Sequence, residues 1–183
     1  MSDTERLYER VLVLQCRAGN EAAFANLIES YQPRLRYYVR QLLREPDIAE
    51  DILQDVWLDV FRALPRLNNI AAFSAWIYKI ARYRALREGR KHTLSQWPLE
   101  PEQVIDKQRD ETNLSAENAE YIHVALQRLA EEHREVLMLR FLEEMSYEDI
   151  AKVIGCPLGT VASRIHHAKR ALRTELERTT CHE

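Results

Sequence analysis

The sequence predicts an all-α protein made of two small helical domains joined by a flexible linker, and three observations favour this fold class. The 183 residues include only four glycines and six prolines. Apolar residues recur at helical spacing along most of the chain, and no segment shows the alternation typical of strands. Residues 93–115 have mixed polarity, two prolines and no sustained period, as linkers do. We therefore expect a first domain at residues 1–92 and a second domain at residues 116–183.

The composition argues against several classes of protein. With 46% apolar and 30% charged residues, the chain is typical of folded domains and not of disordered or fibrous proteins. No apolar run reaches the ~18 residues of a membrane span, and the opening MSDTERLYER lacks the apolar core of a signal peptide. We therefore expect a cytoplasmic protein. Cys16, Cys156 and Cys181 have no C-x-x-C spacing, which predicts reduced thiols and no zinc site. No cofactor and no metal are expected.

The first block contains four predicted helices with short breaks between them. Pro46 and Pro65 lie in two of the breaks, because proline cannot continue the interior of a helix. The predicted helices span Leu7–Ala18, Asn20–Leu43, Asp47–Leu64 and Ala71–Arg90.

The third predicted helix has one apolar face and one acidic face. Ile52, Val56 and Val60 belong to a series of apolar residues that recurs every four positions. An acidic face is usually a solvated surface. However, Asp51, Asp55 and Asp59 are like charges at four-residue spacing, which costs a helix about 0.2 to 0.5 kcal/mol per pair. Aspartate is also a poor helix former, so this face is unfavourable for the isolated helix. The acidic and amide residues are Asp47, Glu50, Asp51, Gln54, Asp55 and Asp59.

The fourth predicted helix is basic and aromatic. Between Lys79 and His92 it has six lysines and arginines against one glutamate, although the net charge of the whole chain is −3. Aromatic faces that stack on bases, together with cations that hold phosphates, are typical of proteins that bind single-stranded nucleic acid. Trp76 and Ile80 could equally belong to the core, whereas Tyr83 is expected on the surface. The aromatic and basic residues concerned are Phe73, Trp76, Tyr78, Lys79, Arg82, Tyr83, Arg84, Arg87, Arg90 and Lys91.

The second block is predicted to hold four helices, and the last two form a helix-turn-helix. The pair follows two predicted helices at Ala116–Ala130 and His133–Leu142. Ser146, with Asp149 three residues later, approximates a capping box at the start of the pair. Gly155 permits a tight turn, and Pro157 is placed where the second helix would begin. This spacing is that of a DNA-binding helix-turn-helix.

The second helix of this pair is expected to present a polar and basic face. Val161, Ile165, Ala168 and Leu172 share one side and should pack inward. The opposite side can reach base edges and phosphates in a major groove. An ordinary helical hairpin with a solvated basic face remains the alternative. A metal site is not expected, because neighbouring histidines on a helix diverge by about 100°. The outward residues are Ser163, His166, His167 and Arg170, with Arg164, Lys169 and Arg173 beside them.

Three motifs together resemble the bacterial RNA polymerase sigma factors, specifically the short extracytoplasmic-function type of the sigma-70 family. AEDILQDVWLDVF resembles the second-region helix of that family, and FSAWIYKIARYRAL resembles its promoter-melting helix. LRFLEEMSYEDIAKVIGCPLGTVASRIHHAKRAL resembles its fourth region. The resemblance covers nearly the whole chain, with the motifs in the family's order and spacing. It implies a transcription initiation factor, not an enzyme, whose partners are core RNA polymerase, promoter DNA and an anti-sigma protein.

The resemblance also implies three sets of site residues. The acidic helix would dock on the polymerase through Asp47, Glu50, Asp51, Gln54, Asp55 and Asp59. The melting helix would contact the minus-ten element through Trp76, Lys79, Arg82, Tyr83, Arg84 and Arg87. The reading helix would contact the minus-thirty-five element through Thr160, Ser163, Arg164, His166, His167, Lys169, Arg170 and Arg173.

The sequence departs from the family's usual pattern at three positions. Tyr83 replaces the common asparagine of the melting helix, and Arg87 replaces an aspartate that often follows four positions later. Ala162 is placed where a basic residue is common in the reading helix.

Other classes of function explain less of the sequence. An enzyme has no support, because the chain lacks a Gly-rich phosphate loop, a nucleophile elbow and a metal-spaced cluster. A helix-turn-helix regulator that never joins the polymerase would explain only the end of the chain. A sigma-like decoy that occupies a regulator would keep the acidic helix and lose initiation.

Overall fold

The computed structural model describes residues 3–43, 46–95 and 116–180, and within these ranges the chain is α-helical without strands. Most of the predicted linker, residues 96–115, lies outside the described residues. The first bundle contains four α-helices, each within a few residues of its prediction. They are α1 Asp3–Arg17, α2 Glu21–Leu42, α3 Ala49–Ala63 and α4 Phe73–Ser95.

Local sequence signals account for the helix boundaries of the first bundle. The side chain of Asn20 accepts a hydrogen bond of 3.1 Å from the backbone N–H of Ala23, and so caps the start of α2. Pro65 lies in a 3₁₀ turn, Leu64–Arg66, that ends α3. The last helix, α4, continues to Ser95, beyond the predicted end at Arg90, because the residues that follow Arg90 contain no helix breaker until Pro98.

The second bundle contains the other four α-helices of the described residues. A π-helical turn, Met138–Leu142, continues from the end of its second helix. The helices are α5 Ala116–Gln127, α6 Glu131–Leu137, α7 Tyr147–Ile154 and α8 Leu158–Thr180.

The helix-turn-helix of α7 and α8 has the predicted caps. The Ser146 hydroxyl oxygen accepts a hydrogen bond of 3.1 Å from the backbone N–H of Asp149. The same hydroxyl donates to the Asp149 carboxylate at 2.9 Å. Gly155 ends α7 with φ of 76°, in the left-handed region that favours glycine. Pro157 immediately precedes α8, one position earlier than predicted, and its carbonyl accepts a hydrogen bond from Val161 N–H.

The two bundles share a continuous apolar core. Helix α4 of the first bundle packs against α7 of the second, and α7 packs in turn against α8. The buried side chains of both bundles belong to one cluster, which includes Tyr38 and Tyr78 from the first and Ile150 and Ile165 from the second. The structure therefore confirms the all-α class and places the helix-turn-helix directly against the aromatic and basic helix. None of the described helices is long and apolar enough to cross a membrane.

Candidate polymerase and nucleic-acid interfaces

The acidic helix α3 buries the apolar face that its sequence predicts. Ile52, Val56 and Val60 are at most 2% exposed. Trp57 also lies inward, and its indole N–H donates a hydrogen bond of 2.5 Å to Gln32 Oε1 on α2. The acidic side chains of α3 lie on the remaining face, where they can form ion pairs with neighbouring helices or contact solvent.

Two of the aspartates on α3 are paired with an arginine from the neighbouring helix. Arg84 of α4 places Nη1 2.9 Å from Asp55 Oδ2 and Nη2 2.6 Å from Asp59 Oδ2. The hydrogen bond to Asp59 raises the pKa of the Arg84 guanidinium, and the charge of Asp55 adds to the effect. The predicted repulsion between Asp55 and Asp59 is therefore compensated in the folded protein. Only the tertiary packing of α4 on α3 creates this compensation.

The rest of the acidic face forms an exposed stripe that includes apolar side chains. Asp51 and Gln54 are exposed at its start. Leu58 and Phe61 follow on the same side and are 50% and 62% exposed. We call Asp51, Gln54, Leu58 and Phe61 the docking stripe. The sequence pattern did not predict the two apolar members, although an apolar residue on the acidic side of a helical wheel was the available signal.

The other predicted docking residues lie around this stripe. Asp47 is exposed in the 3₁₀ turn that precedes α3. Glu50 is exposed as well, and its Oε1 lies 2.5 Å from Arg36 Nε on α2. Surface pairs of this kind contribute little to stability, so Glu50 can exchange partners at small cost.

Helix α4 presents a stripe of basic and aromatic residues to solvent. Lys79, Tyr83 and Arg87 recur every four residues and all three are exposed, with Tyr83 at 63%. The predicted exposure of Tyr83 is confirmed. We call Lys79, Tyr83 and Arg87 the α4 stripe. Its arrangement places one aromatic face between two cations, which is suited to stacking a base and holding its phosphates.

The other predicted minus-ten residues of α4 have different surroundings. Trp76 is half-buried, and its ring centroid lies 5.9 Å from that of Phe73. Arg82 is directed away from solvent toward the second bundle, where its Nε lies 2.8 Å from Glu135 Oε1. Arg84 is occupied by the α3 aspartates. In this conformation the α4 stripe is exposed to solvent, whereas Arg82 and Arg84 are paired with carboxylates.

The reading helix α8 has the two faces that its sequence predicts. Val161, Ile165 and Ala168 are at most 1% exposed, and Leu172 is half-buried. On the other side a set of polar and basic residues is exposed along the first four turns. These residues are Ser163, His166, His167, Lys169, Arg170 and Arg173.

Three flanking residues of α8 make contacts within the second bundle. Arg164 is half-buried, and its Nη2 lies 2.9 Å from Glu132 Oε2. Lys169 Nζ lies 5.1 Å from the centre of the Phe141 ring. Thr160 is half-buried, and its carbonyl accepts a hydrogen bond of 3.0 Å from the Ser163 hydroxyl. The exposed residues of this polar face are Ser163, His166, His167, Lys169, Arg170 and Arg173, and Lys169 also lies over the Phe141 ring.

The described part of the chain contains no group of three or more histidine, cysteine or acidic side chains that could hold a metal ion. His166 and His167 have ring centroids 5.6 Å apart with an interplanar angle of 78°. Both side chains are exposed, which suits contact with a nucleic acid better than joint coordination.

The described residues combine an acidic helix, a basic helix and a helix-turn-helix, and a helix-turn-helix with an exposed basic face is typical of DNA-binding proteins. Residues 27–94 match the family description "Sigma-70 region 2", which covers most of α2, all of α3 and nearly all of α4. Residues 119–172 match "Sigma-70, region 4", which takes in the helix-turn-helix. The chain belongs to the sigma-70 family and is an extracytoplasmic-function sigma factor. It is a transcription initiation factor that binds core RNA polymerase and directs it to specific promoters, and the regulator that acts without the polymerase is not favoured.

Relatives of similar length support this assignment. The RNA polymerase sigma-H factor of Pseudomonas aeruginosa is 29% identical over 181 residues, covering 92% of this chain and 94% of the relative. The ECF RNA polymerase sigma-E factor of Escherichia coli K12 is 27% identical over 190 residues, covering 95% and 97%.

Two solved structures share the fold. CnrH, in complex with the cytosolic domain of CnrY, superposes with a TM-score of 0.65 at 22% identity and covers 93% of this chain and 98% of its own. The sigma factor RpoE of Bartonella quintana, in complex with the anti-sigma factor NepR, has a TM-score of 0.63 at 27% identity, covering 84% and 96%.

Proposed function

We propose that this initiation factor uses three separate surfaces, one for each of its macromolecular contacts. The docking stripe of α3 binds core polymerase, the α4 stripe binds the minus-ten element, and the outward face of α8 binds the minus-thirty-five element. The observation that carries this division is that the three surfaces are exposed together while their opposite faces are buried. We also propose the division of the chain at residues 1–92, 93–115 and 116–183.

The docking stripe fits a partner with both basic and apolar groups. Asp51 and the nearby Asp47 and Glu50 supply negative charge that speeds and orients association with a basic surface. Leu58 and Phe61 supply apolar area that becomes buried on contact. Asp55 and Asp59, which the sequence also predicts as docking residues, contribute to the negative field although Arg84 partly neutralises them.

The α4 stripe fits an unpaired strand better than a duplex. A base removed from its stack can lie on the Tyr83 ring, and Lys79 and Arg87 can contact the phosphates on either side. Trp76 lies half-buried one turn before Lys79, with its ring against Phe73. Arg82 and Arg84 become part of this surface only if they leave their carboxylate partners.

The outward face of α8 fits the major groove. His166 and Arg170 lie one turn apart and can reach base edges, while Ser163, His167 and the flanking cations can contact phosphates. Arg164 and Lys169 are held beside this face by Glu132 and Phe141. The residues that contact phosphates would position the helix on the DNA, and the residues that contact base edges would recognise the sequence.

We further propose that an anti-sigma protein restrains the chain, as a protein of that kind is bound to the Bartonella quintana factor. The proposed place of action is the cytoplasm, where polymerase and promoter DNA occur together. We propose no enzymatic activity for the chain itself, since its contacts are suited to binding and strand separation.

Reconstituted transcription tests the proposal. The purified chain should co-elute with core RNA polymerase, and the complex should start transcripts at a defined set of promoters that core enzyme alone does not use. Transcript starts mapped after overexpression would identify those promoters. Binding to duplex DNA without co-elution with core enzyme would contradict the proposal.

A further inference from the structure

The reading helix begins with an exposed apolar surface that the proposed contacts do not use. Leu158, the first residue of α8, is 47% exposed, and Ala162 is exposed one turn later. At the same four-residue spacing they continue into His166 and Arg170, so the four side chains form one row along the helix. We call Leu158 and Ala162 the apolar patch. It is continuous with the polar surface proposed to contact base edges.

The apolar patch lies in a stretch without charge. Residues 157–163 contain no acidic or basic side chain and no histidine. The first cation of α8, Arg164, is half-buried, and its Nη2 lies 2.9 Å from Glu132 Oε2. Guanine is read most often by an arginine or lysine that donates to its O6 and N7 atoms. The first turn of α8 therefore has no side chain that could read guanine in this way.

Ser163, beside the patch, is suited to accept a hydrogen bond and not to donate one. Its hydroxyl donates to the Thr160 carbonyl at 3.0 Å, which uses its single proton. The hydroxyl oxygen keeps lone pairs that can accept from the amino group of adenine or cytosine. In the major groove, an adenine–thymine pair presents an amino donor together with a methyl group. The patch and Ser163 together therefore match that base pair.

The fold of the free chain does not account for Gly159, which lies next to the patch. A Cβ atom at this position would have no neighbouring group of the fold within 4 Å, and the φ of Gly159 lies outside the left-handed region. Neither packing nor backbone geometry therefore requires glycine here. A residue without a side chain does allow the backbone of α8 to approach another molecule closely. The start of α8 is thus shaped for close contact with something outside the chain.

The major groove offers an apolar side chain one distinctive apolar group. The recognition helix of a helix-turn-helix directs its N-terminal residues toward base edges. Thymine carries a C5 methyl group there, whereas the distinguishing groups of the other bases are hydrogen-bond donors and acceptors. Burying one methyl-sized group changes affinity by about three- to fivefold. A half-exposed leucine and an alanine one turn apart can therefore distinguish thymine from other bases.

We propose that Leu158 and Ala162 are specificity residues that recognise thymine methyl groups in the minus-thirty-five element. The same helix then reads methyl groups with its first turn and polar base edges with the turns that follow. Ala162, in place of the cation common in the family, keeps this part of the row apolar. Continuity with His166 and Arg170 favours DNA over a protein as the molecule that covers the patch. The inference rests on the proposed assignment of α8 to the minus-thirty-five element.

Replacing thymine with uracil tests the inference, because uracil lacks only the C5 methyl group. Promoter duplexes with single thymine-to-deoxyuridine changes, on either strand of the minus-thirty-five element, compete for the complex of this chain with core polymerase at one salt concentration. At one or two positions the change should weaken binding of the wild-type complex by about three- to fivefold. Uracil between the two promoter elements is the DNA control and should leave binding unchanged. An element without thymine on either strand, or equal binding of all thymine and uracil duplexes, would overturn the inference.

The Leu158→Ser variant separates methyl recognition from an effect of uracil on DNA shape, which would be the same for every variant. It should bind the thymine duplex about three- to fivefold more weakly and lose the thymine–uracil difference at one position. Serine is well tolerated at the start of a helix, so the thermal melt should be nearly unchanged. Leu14→Ser makes the same change at a leucine of α1 that is 51% exposed and should keep the full difference. A difference that persists at every position in the Leu158 variant would overturn the inference.

The Ala162→Arg variant tests the second residue through a new preference. Arginine is a good helix former and position 162 is exposed, so the fold should be retained. The variant should bind more tightly to a duplex that has guanine where the wild-type complex prefers thymine, because arginine can donate to guanine O6 and N7. An unaltered thymine preference at every position would overturn the role of Ala162.

Two substitutions farther along the row separate this inference from the proposed function. If His166→Ala and Arg170→Ala relax promoter selectivity while uracil has no effect, the methyl inference fails and α8 remains the reading helix. If neither those substitutions nor any base change in the minus-thirty-five element alters binding, the assignment of α8 itself is wrong.

Discussion

Arg84 of α4 and Asp59 of α3 form a close ion pair between neighbouring helices, with Arg84 Nε 2.7 Å and Nη2 2.6 Å from the same carboxylate oxygen. The arginine comes from the helix predicted to bind nucleic acid and the aspartate from the helix predicted to bind polymerase. Because Asp55 also contacts Arg84, the pair fixes the relative position of the two surfaces. Arg84 therefore stabilises the first bundle, and it can contact another molecule only if it leaves these two carboxylates.

Removing Arg84 should weaken the first bundle. Arg84→Ala leaves Asp55 and Asp59 unpaired at four-residue spacing, and loss of the charged hydrogen bonds should lower the free energy of unfolding by about 1 to 2 kcal/mol. Denaturant unfolding measures this change. Arg87→Ala removes the same charge from an exposed position of α4 and should change stability by less than about 0.5 kcal/mol. Equal effects of the two substitutions would show that the ion pair contributes nothing.

Reversing one charge of the docking stripe should block association with core polymerase while the fold is retained. Asp51 is exposed, so Asp51→Lys should leave the thermal melt nearly unchanged. Setting a positive charge against a basic partner can cost several kcal/mol, which should reduce binding at least tenfold by size-exclusion or native-gel assay. Glu29→Lys makes the same reversal at an exposed position of α2 and serves as the control. Full binding by the Asp51 variant would show that this stripe does not contact the polymerase.

The apolar members of the docking stripe give an independent prediction. Leu58→Ala and Phe61→Ala remove side chains that are half or more exposed, so they should cost the free protein little stability. Each should weaken polymerase binding through the loss of buried apolar area, by about 1 to 3 kcal/mol. A titration with labelled chain measures the loss. Leu142→Ala, at an equally exposed apolar position of the second bundle, should preserve the affinity of α3 for the polymerase.

Substitutions on the outward face of α8 should alter promoter choice. His166→Ala or Arg170→Ala should cost about 1 to 3 kcal/mol against the preferred site and make the minus-thirty-five preference less strict. Run-off transcription from matched and mutated promoters measures this. Arg178→Ala removes a cation farther along the same helix and should keep the sequence preference. Unchanged selectivity in both the His166 and Arg170 variants would contradict the assignment of this face.

The aromatic residue of the α4 stripe should matter for strand opening and not for assembly. Tyr83→Ala should preserve polymerase binding and duplex recognition but lose about 1 to 3 kcal/mol of base stacking. Permanganate reactivity of unpaired thymines reports the open strand. Tyr8→Ala removes another exposed tyrosine, on α1, and should leave the reactivity intact. Normal reactivity with the Tyr83 variant would exclude a stacking role.

Alkaline pH should destabilise the folded protein through its buried phenols. Burial raises the pKa of Tyr31, Tyr38 and Tyr78 well above the ordinary value, with Glu9, Glu135 and Glu143 respectively adding to the effect. A phenol with a raised folded-state pKa contributes full stability below its unfolded pKa of about 10, and this contribution is lost as pH rises through the folded pKa.

The unfolding free energy should therefore fall progressively as pH rises above about 9. Tyr78→Phe removes one of these phenols and should make the decline shallower. Denaturant unfolding at several pH values measures the slope. A flat profile in this range would contradict the burial of these hydroxyls.

The sequence by itself determined the helices, the caps of the helix-turn-helix and the buried faces of α3 and α8. These features depend on local chemistry. The serine cap at Ser146, the left-handed glycine at Gly155 and the spacing of Val161, Ile165 and Ala168 by four and three residues each act within one or two turns of the chain. Tertiary packing did not have to be known, because side chains three or four residues apart share a face in any helix. The order of the motifs was equally visible without a structure.

The tertiary structure alone decided which charges are paired between different helices. Asp55 and Arg84 are 29 residues apart, and Tyr38 and Glu135 are 97 residues apart. No periodicity links such positions, since their contact depends on how whole helices pack. One local sign existed for Glu135, which precedes the buried Leu139 by four residues and so shares its inward face. That sign predicts burial of a carboxylate, but the donors that make it favourable come from helices of the other bundle, and only their packing brings them there.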